Sequence, residues 1–184
     1  MVEHGFRKAG VMGSSPVIGS WVLNQSLPQD GLSITNLELD MNNTDKAKAI
    51  YKEGFSCAPA VLAAYCEQFG LQKDTALKIA TGFGGGMHLD QTCGAVTGAI
   101  MVIGLKYGKM RADDNKAKEK TYELVKRFAN KFKARYGSIE CKALLNCDIT
   151  TPEGMQEARD KKLFSTICAE YVGTAAELLD ELLG

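Results

Sequence analysis

The chain of 184 residues lacks a net charge, because its 22 Lys and Arg residues balance 22 Asp and Glu residues. This balance excludes a protein whose whole surface binds a polyanion, and we expect no nucleic-acid partner. The chain also lacks an uncharged run apolar enough to span a bilayer, which needs about 20 apolar residues. The longest uncharged run, residues 9–29, is interrupted by glycine, serine and proline. We therefore expect a soluble cytoplasmic protein without a membrane span, with an export leader as the alternative.

The charges are distributed unevenly along the chain. Residues 106–142 contain 12 basic and 5 acidic side chains, a net charge of +7, whereas residues 148–184 contain 3 basic and 8 acidic side chains, a net charge of −5. The favoured interpretation is a pair of helix faces with complementary charge. The alternative is a basic patch that attracts an anionic partner.

Two regions of the chain differ in composition. Residues 1–42 are rich in Gly, Ser, Asn and Pro, so we interpret them as a non-helical N-terminal arm or a decayed leader. The single tryptophan, Trp21, lies in this arm and is a candidate anchor to the domain or to a second subunit of a homo-oligomer. Residues 43–184 are interpreted as one helical cysteine-containing domain, which is long enough to bury a hydrophobic core.

Apolar residues recur at helical spacing after residue 44, and no segment alternates as a half-buried strand does. Capping residues and glycine stops then delimit the helices. They predict helices over residues 46–52, 57–69, 74–81, 90 or 92 to 107, 113 or 114 to 136, and 138–145, a further helix that starts at Thr151, and a last one with an apolar stripe from 164 to 182. The predicted fold class is all-α, an irregular multi-helix bundle.

No two cysteines have C-x-x-C spacing, although the chain contains six, namely Cys57, Cys66, Cys93, Cys141, Cys147 and Cys168. The absence of C-x-x-C-H excludes a c-type cytochrome, so no covalent haem is expected. Zinc ribbons and ferredoxin runs also require spacings that this chain lacks. Structural disulfides are unexpected in a cytosolic chain. Six cysteines are nevertheless more than packing usually requires, and they point to thiol chemistry.

Three of the cysteines, Cys57, Cys93 and Cys141, fall in the first turn of a predicted helix. The free N–H groups and the positive dipole end favour a thiolate there, which is the form that a redox nucleophile or a metal ligand needs. Cys168 lies on the apolar stripe of the last helix. Cys66 is interpreted as a buried core residue. Cys147 stays undecided, with a resolving thiol as one option.

The segment Cys93-Gly94-Ala95-Val96-Thr97-Gly98 forms a C-G-A-x-x-G motif. With Phe55-Ser56-Cys57-Ala58 upstream and Cys141 and Cys168 downstream, it resembles the C_GCAxxG_C_C family of redox-active proteins. The resemblance covers about residues 44–183. It implies a small helical protein in which four shared cysteines, here Cys57, Cys93, Cys141 and Cys168, carry the redox chemistry.

Gly94 and Gly98 are four residues apart and therefore share one helix face, which a cofactor or another backbone can approach closely. Tight helix packing explains these glycines equally well. The glycine-rich segment 82–86 does not match a dinucleotide-binding fingerprint, and we interpret it as a flexible turn that positions His88 and Cys93. His88 is a candidate base or ligand beside the thiol.

The sequence leaves three functions open. In the first, the protein is a thiol-based oxidoreductase with an unknown redox partner, Cys93 is the attacking thiolate of low pKa, and Cys57, Cys141 or Cys168 resolves the mixed disulfide. In the second, these four cysteines ligate zinc or an Fe–S cluster and the protein transfers electrons. In the third, the chain is a helical interaction protein with structural cysteines. The first two functions require distant cysteines to meet in space.

Overall fold

The computed structural model describes residues 41–184, and within them the chain forms eight α-helices and no β-sheet. The helices are α1 (Asn43–Lys52), α2 (Cys57–Tyr65), α3 (Lys73–Ala80), α4 (Gly94–Tyr107), α5 (Asn115–Tyr136), α6 (Cys141–Leu145), α7 (Pro152–Asp160) and α8 (Ile167–Leu183). The predicted all-α fold class is confirmed. The arm predicted for residues 1–42, with Trp21, lies outside the described residues except for its last two positions, so its role stays a prediction.

The core of the described domain forms around α2 and α4. Every residue of α2 is buried, and α4 packs against α2, α5 and α8. Gly98 allows α4 to approach α2 closely, because a Cβ at this position would lie 2.7 Å from the Ala58 carbonyl oxygen. The close approach brings the N-termini of the two helices together, and with them Cys57 and Cys93.

Side-chain capping explains where three of the eight helices begin. The Asp114 side chain accepts a hydrogen bond from the backbone N–H of Ala117 at 3.0 Å, and Thr151 accepts one from Gly154 at 3.1 Å, as expected for N-caps. Gly137 ends α5 in the left-handed conformation. The start of α1 was predicted three residues too late, because the Asn42 side chain caps this helix. The predicted helix 57–69 is α-helical only to Tyr65 and ends in a 3-10 turn.

Two predicted helix starts are wrong for a common reason. Helix α4 begins at Gly94 with Cys93 as its N-cap, and α6 begins at Cys141 rather than after Ser138. The residues before both helices pair with each other in an isolated antiparallel bridge between Thr92 and Glu140. The backbone N–H of Cys93 donates to Ile139 at 2.8 Å, and that of Cys141 donates to Gln91 at 2.6 Å. This long-range pairing holds both segments extended where local caps predict helix.

The glycine-rich segment before α4 forms a left-handed turn. Gly85, Gly86, Met87 and His88 are consecutive and have φ angles of 58°, 62°, 61° and 54°. Asp90 follows with φ of 57°. Residues other than glycine rarely adopt this conformation, and such strain persists only where the surrounding structure enforces it. The predicted flexible turn is therefore a turn of defined geometry, and it packs beside the N-terminus of α6.

Complementary charges on α5 and α8 face each other. Lys131 pairs with Glu181 at 2.7 Å and Arg135 pairs with Glu177 at 3.0 Å. The favoured interpretation of the uneven charge distribution is confirmed for these two helices. None of the helices among the described residues combines the length and the apolar character needed to cross a membrane.

Candidate functional site

A cavity of about 260 Å³ lies where the N-termini of four helices meet. Its lining includes Cys57, Cys93, Cys141 and Cys168. All four cysteines are buried, with exposed fractions of 8%, 3%, 5% and 5%, and all are free thiols. The cysteines that the sequence singled out therefore share one cavity, although they are spread over more than a hundred residues of chain.

Each of the four cysteines stands at the start of a different helix. Cys57 and Cys141 are the first residues of α2 and α6, and Cys168 is the second residue of α8. Cys93 is the N-cap of α4 rather than a residue of its first turn. The positive ends of four helix dipoles therefore lie beside the cavity.

Cys57 and Cys168 are neighbouring thiols, and each changes the pKa of the other. The neighbouring Cys168, together with burial, raises the pKa of the Cys57 thiol. The Cys57 thiol lowers the pKa of Cys168, and the nearby Tyr51 hydroxyl adds to this effect. The Tyr51 hydroxyl donates its proton to the Phe164 carbonyl oxygen, 2.8 Å away. Cys168 is therefore the sulfur of this pair that ionises first.

The thiols of Cys93 and Cys141 are shifted in the opposite direction. Burial raises the pKa of Cys93 to about 11, although the N–H groups of Ala95 and Val96 act to lower it. Burial also raises the pKa of Cys141, and the neighbouring Cys93 adds to the effect. The direction of this pKa shift opposes the prediction that Cys93 is the thiolate of low pKa. The helix N-terminus favours the thiolate as expected, but loss of solvent outweighs it.

Two glycines leave room for the backbone to approach the cysteines. A Cβ on Gly94 would lie 3.0 Å from the Cys57 Cβ, and a Cβ on Gly86 would lie 2.9 Å from the Cys141 Cβ. Side chains at these positions would push the cysteines away. The glycines and the bridge between Thr92 and Glu140 therefore set the positions of the thiols around the cavity.

A family model described as "Putative redox-active protein (C_GCAxxG_C_C)" matches residues 55–182. The chain belongs to the C_GCAxxG_C_C family. The matched range contains all four cysteines of the cavity, and it agrees with the resemblance read from the C-G-A-x-x-G motif. No curated protein and no solved structure matches the chain.

The glycines of the family motif differ in their relation to the cavity. Gly94 lines it beside Cys57, so it stays a candidate for contact with a bound molecule. Gly98 is not part of the lining and packs against Ala58 and Val61 of α2, so tight helix packing explains it. His88, the third residue predicted to contact a cofactor, lies at the exposed rim of the cavity.

The two cysteines outside the family pattern do not line the cavity. Cys66 is fully buried in the 3-10 turn after α2, and its thiol donates to the Ala63 carbonyl at 3.3 Å. This agrees with its interpretation as a core residue. Cys147 is buried in the segment between α6 and α7. Neither residue takes part in the cavity that the other four share.

Sequence reasoning missed three residues of this region. Tyr51 and Tyr171 line the cavity, and no local pattern reveals which side chain their hydroxyls will face. Asp90 was interpreted as a helix cap, but its carboxylate is 6% exposed and no described residue donates a hydrogen bond of good geometry to it. Burial and the nearby Asp148 raise the pKa of Asp90, and its carboxylate in turn raises that of Cys141.

The arrangement of the thiols does not favour the metal-binding alternative. Among residues 41–184, no three His, Cys, Asp or Glu side chains are grouped closely enough to hold a metal ion. Structural zinc and Fe–S sites require sulfur ligands at bonding distance from the metal in a defined geometry. Cys57, Cys93, Cys141 and Cys168 share a cavity without forming such a cage.

Proposed function

We propose that this protein is a thiol-based oxidoreductase in which Cys57 and Cys168 alternate between a dithiol and a disulfide. The observation that carries the proposal is the placement of these two thiols as neighbours in one buried cavity, with the pKa of Cys168 lowered and that of Cys57 raised. Such an asymmetric pair provides one sulfur that attacks as a thiolate and a second that stays protonated until it is needed.

The reaction follows the chemistry of thiol–disulfide exchange. The Cys168 thiolate attacks one sulfur of a substrate disulfide, the substrate S–S bond breaks, and one substrate thiolate leaves. Cys57 then loses its proton and attacks the sulfur of Cys168 in the mixed disulfide, which releases the second substrate thiolate. Two electrons pass to the substrate, and the protons of the two protein thiols end on the two substrate thiols.

The other two cysteines have a different role in this scheme. Their raised pKa keeps Cys93 and Cys141 protonated at neutral pH, so we assign neither of them the first attack. They lie on the same cavity and provide two further thiols that can later reduce the disulfide between Cys57 and Cys168. A reducing compartment such as the cytoplasm would return all four to the thiol form.

The test is to oxidise the reduced protein with 2-hydroxyethyl disulfide, count the remaining thiols and map the disulfides by mass spectrometry. We expect a first disulfide between Cys57 and Cys168 that dithiothreitol reverses. Cys57→Ser and Cys168→Ser should each prevent it, whereas Cys66→Ser, a buried cysteine outside the cavity, should leave it unchanged. A first disulfide that omits Cys168 would overturn the assignment.

Anaerobic purification separates this proposal from the metal alternative. We expect protein without visible absorbance, in which Cys57, Cys93, Cys141 and Cys168 are all free to be alkylated after unfolding. About one zinc or iron per chain, lost on replacement of these cysteines by serine, would favour the metal-binding function instead.

A further inference from the structure

The cavity restricts which disulfides can reach Cys168. We infer that the substrate is a small, uncharged disulfide that enters the cavity, rather than a protein disulfide or a charged one such as glutathione disulfide. This inference rests on the proposed oxidoreductase function and extends it to the class of substrate. It depends on three observations, which are the burial of the sulfurs, the volume of the cavity and the absence of Lys, Arg, Asp and Glu among the lining residues that the structure describes.

Burial excludes a substrate on the surface of a folded protein. All four sulfur-bearing residues are less than a tenth exposed, so a disulfide on a protein surface cannot bring a sulfur atom into line with Cys168. The exposed residues of the rim are Gly54, Phe55 and His88. A molecule that passes this rim has to fit a volume of about 260 Å³. Pockets for drug-sized ligands usually have about 300–1,000 Å³, so the substrate should be smaller than these ligands.

The chemistry of the lining excludes a charged substrate. Among the described residues that line the cavity there is no Lys, Arg, Asp or Glu. The lining contains a group of apolar side chains, here called the apolar wall, which includes Leu144, Leu145, Ile149, Met155 and Phe164. A carboxylate that leaves water for this wall would have no Lys or Arg partner among the described lining residues, and an unpaired buried charge is costly. The Cys168 thiolate adds repulsion against an anionic substrate.

The electron balance is that of the proposed function, with the substrate now defined. A neutral disulfide RSSR enters, the Cys168 thiolate forms a mixed disulfide with one half, and Cys57 displaces the other. At the end of the reaction the protein contains a disulfide between Cys57 and Cys168, and two molecules of the neutral thiol RSH leave the cavity. The apolar wall contacts R, whereas the sulfur atoms lie at the helix N-termini.

The experiment compares two disulfides of similar size, neutral 2-hydroxyethyl disulfide and dianionic dithiodiglycolate, with glutathione disulfide as a larger charged probe. The rate of thiol loss is measured for the folded, reduced protein and for the same protein in urea. Dividing the rate for the folded protein by the rate in urea removes differences in the intrinsic reactivity of the disulfides. We expect this quotient to be ~10-fold or more higher for the neutral disulfide, because only the charged disulfides have to bury an unpaired charge.

A substitution that adds charge tests the route of entry, and the neutral disulfide is its control for misfolding, because misfolding would expose the sulfurs and speed the reaction with both disulfides. Met155 is a half-buried lining residue, so Met155→Lys places a cation at the cavity without removing a core side chain. We expect faster reaction with dithiodiglycolate and a smaller advantage for the neutral disulfide. Met110→Lys is the matched control, because Met110 is 99% exposed and does not line the cavity.

The possible results separate the substrate class from the function itself. If dithiodiglycolate or glutathione disulfide oxidises the folded protein as efficiently as the neutral probe, the inferred substrate class is wrong, while the dithiol function stands. If no probe forms the disulfide between Cys57 and Cys168, the proposed function fails and this inference fails with it. If Met155→Lys and Met110→Lys change the rate of reaction with dithiodiglycolate equally, the cavity is not the route of entry.

Discussion

The Tyr51 hydroxyl lies close to both Cys57 and Cys168. It donates to the Phe164 carbonyl and helps to lower the pKa of Cys168. Its position beside the sulfurs depends on the packing of α1 against α8. Tyr51 is therefore a positioning residue for the Cys168 thiolate. Its contribution to the pKa of Cys168 can be measured separately from that of the other polar groups around the cavity.

We predict that Tyr51→Phe raises the pKa of Cys168, because the polar hydroxyl that helps to lower this pKa is lost. The fraction of thiolate at pH 7 falls, and alkylation by iodoacetamide becomes slower. The measurement is the alkylation rate of Cys168 as a function of pH, read by mass spectrometry. Tyr171→Phe is the matched control, since Tyr171 lines the same cavity and also donates to a backbone carbonyl, that of Leu144, but does not contribute to the pKa shift of Cys168. Equal pH profiles for Tyr51→Phe and the unaltered protein would contradict the assignment.

Asp90 is a buried carboxylate without a hydrogen-bond donor among the described residues. Burial raises its pKa in the folded state, so its ionisation opposes folding. This cost is absent when the pH is below about 3.9, the pKa of an aspartate in the unfolded chain. It is fully present when the pH is above the raised pKa of Asp90 in the folded protein. Its conformation, with φ of 57°, is one that asparagine also adopts readily.

Asp90→Asn is therefore expected to stabilise the protein at pH 7, by ~1–3 kcal/mol, because an unsatisfied buried charge is removed. The gain should shrink as the pH falls toward 4 and the carboxylate is protonated in both states. Urea unfolding at pH 7 and pH 4 measures it. Asp74→Asn, at an exposed position, should change the free energy of unfolding by less than ~0.5 kcal/mol. A gain that does not depend on pH would show that charge is not the cause.

Small residues control the contact between helices α2 and α4. A Cβ at Gly98 would lie 2.7 Å from the Ala58 carbonyl oxygen and 3.0 Å from the Val61 Cβ. Both are inside ordinary contact distance, so a side chain there must push α4 away from α2. A Cβ at Gly104, on the same helix, would meet no other atom within 4 Å, so this position provides an internal comparison.

We predict opposite effects for the same substitution at these two positions. Gly98→Ala should destabilise the protein by ~1–3 kcal/mol, as overpacking of a core usually does. Gly104→Ala should stabilise it by up to ~1 kcal/mol, because alanine is the better helix former and the site is open. Urea unfolding of both variants measures the difference. Two effects of equal sign would show that helix propensity, not packing, dominates at Gly98.

The proposed disulfide would connect α2, near the start of the described domain, to α8, its last helix. Cys57 begins α2, Cys168 lies in the first turn of α8, and more than a hundred residues separate them. In the chain-entropy description, a cross-link that closes a loop of about 100 residues stabilises the folded state by roughly 4.7 kcal/mol through restriction of the unfolded chain. The redox state of the pair should therefore change the stability of the whole molecule.

The oxidised protein is expected to unfold at higher urea concentration than the reduced protein, with the gain abolished in Cys57→Ala. Urea titrations of both forms, each checked by thiol counting, measure the effect. Cys66→Ala should lower stability in both forms without changing the difference between them, because Cys66 lies outside the cavity. An oxidised form that is less stable would mean that the disulfide strains the fold.

Much of the helical structure was predictable because its causes are local. The cap residues Asp114 and Thr151 and the stop at Gly137 act on backbone groups within one turn, so their effect can be read from neighbouring residues. The starts of α4 and α6 were not predictable in this way. The bridge between Thr92 and Glu140 joins residues nearly fifty positions apart, and only the packed chain brings them together.

The same division applies to the candidate site. The sequence around each cysteine is enough to place it near a helix N-terminus, because capping and helix periodicity act over a few residues. The C-G-A-x-x-G motif in turn identifies the family. Which cysteines become partners depends on how the helices pack. Packing places Cys168 against Cys57 and Tyr51, and it buries Cys93 so deeply that loss of solvent outweighs the helix dipole. Solvent exclusion and contacts between distant segments are properties of the assembled domain, and no short stretch of chain contains them.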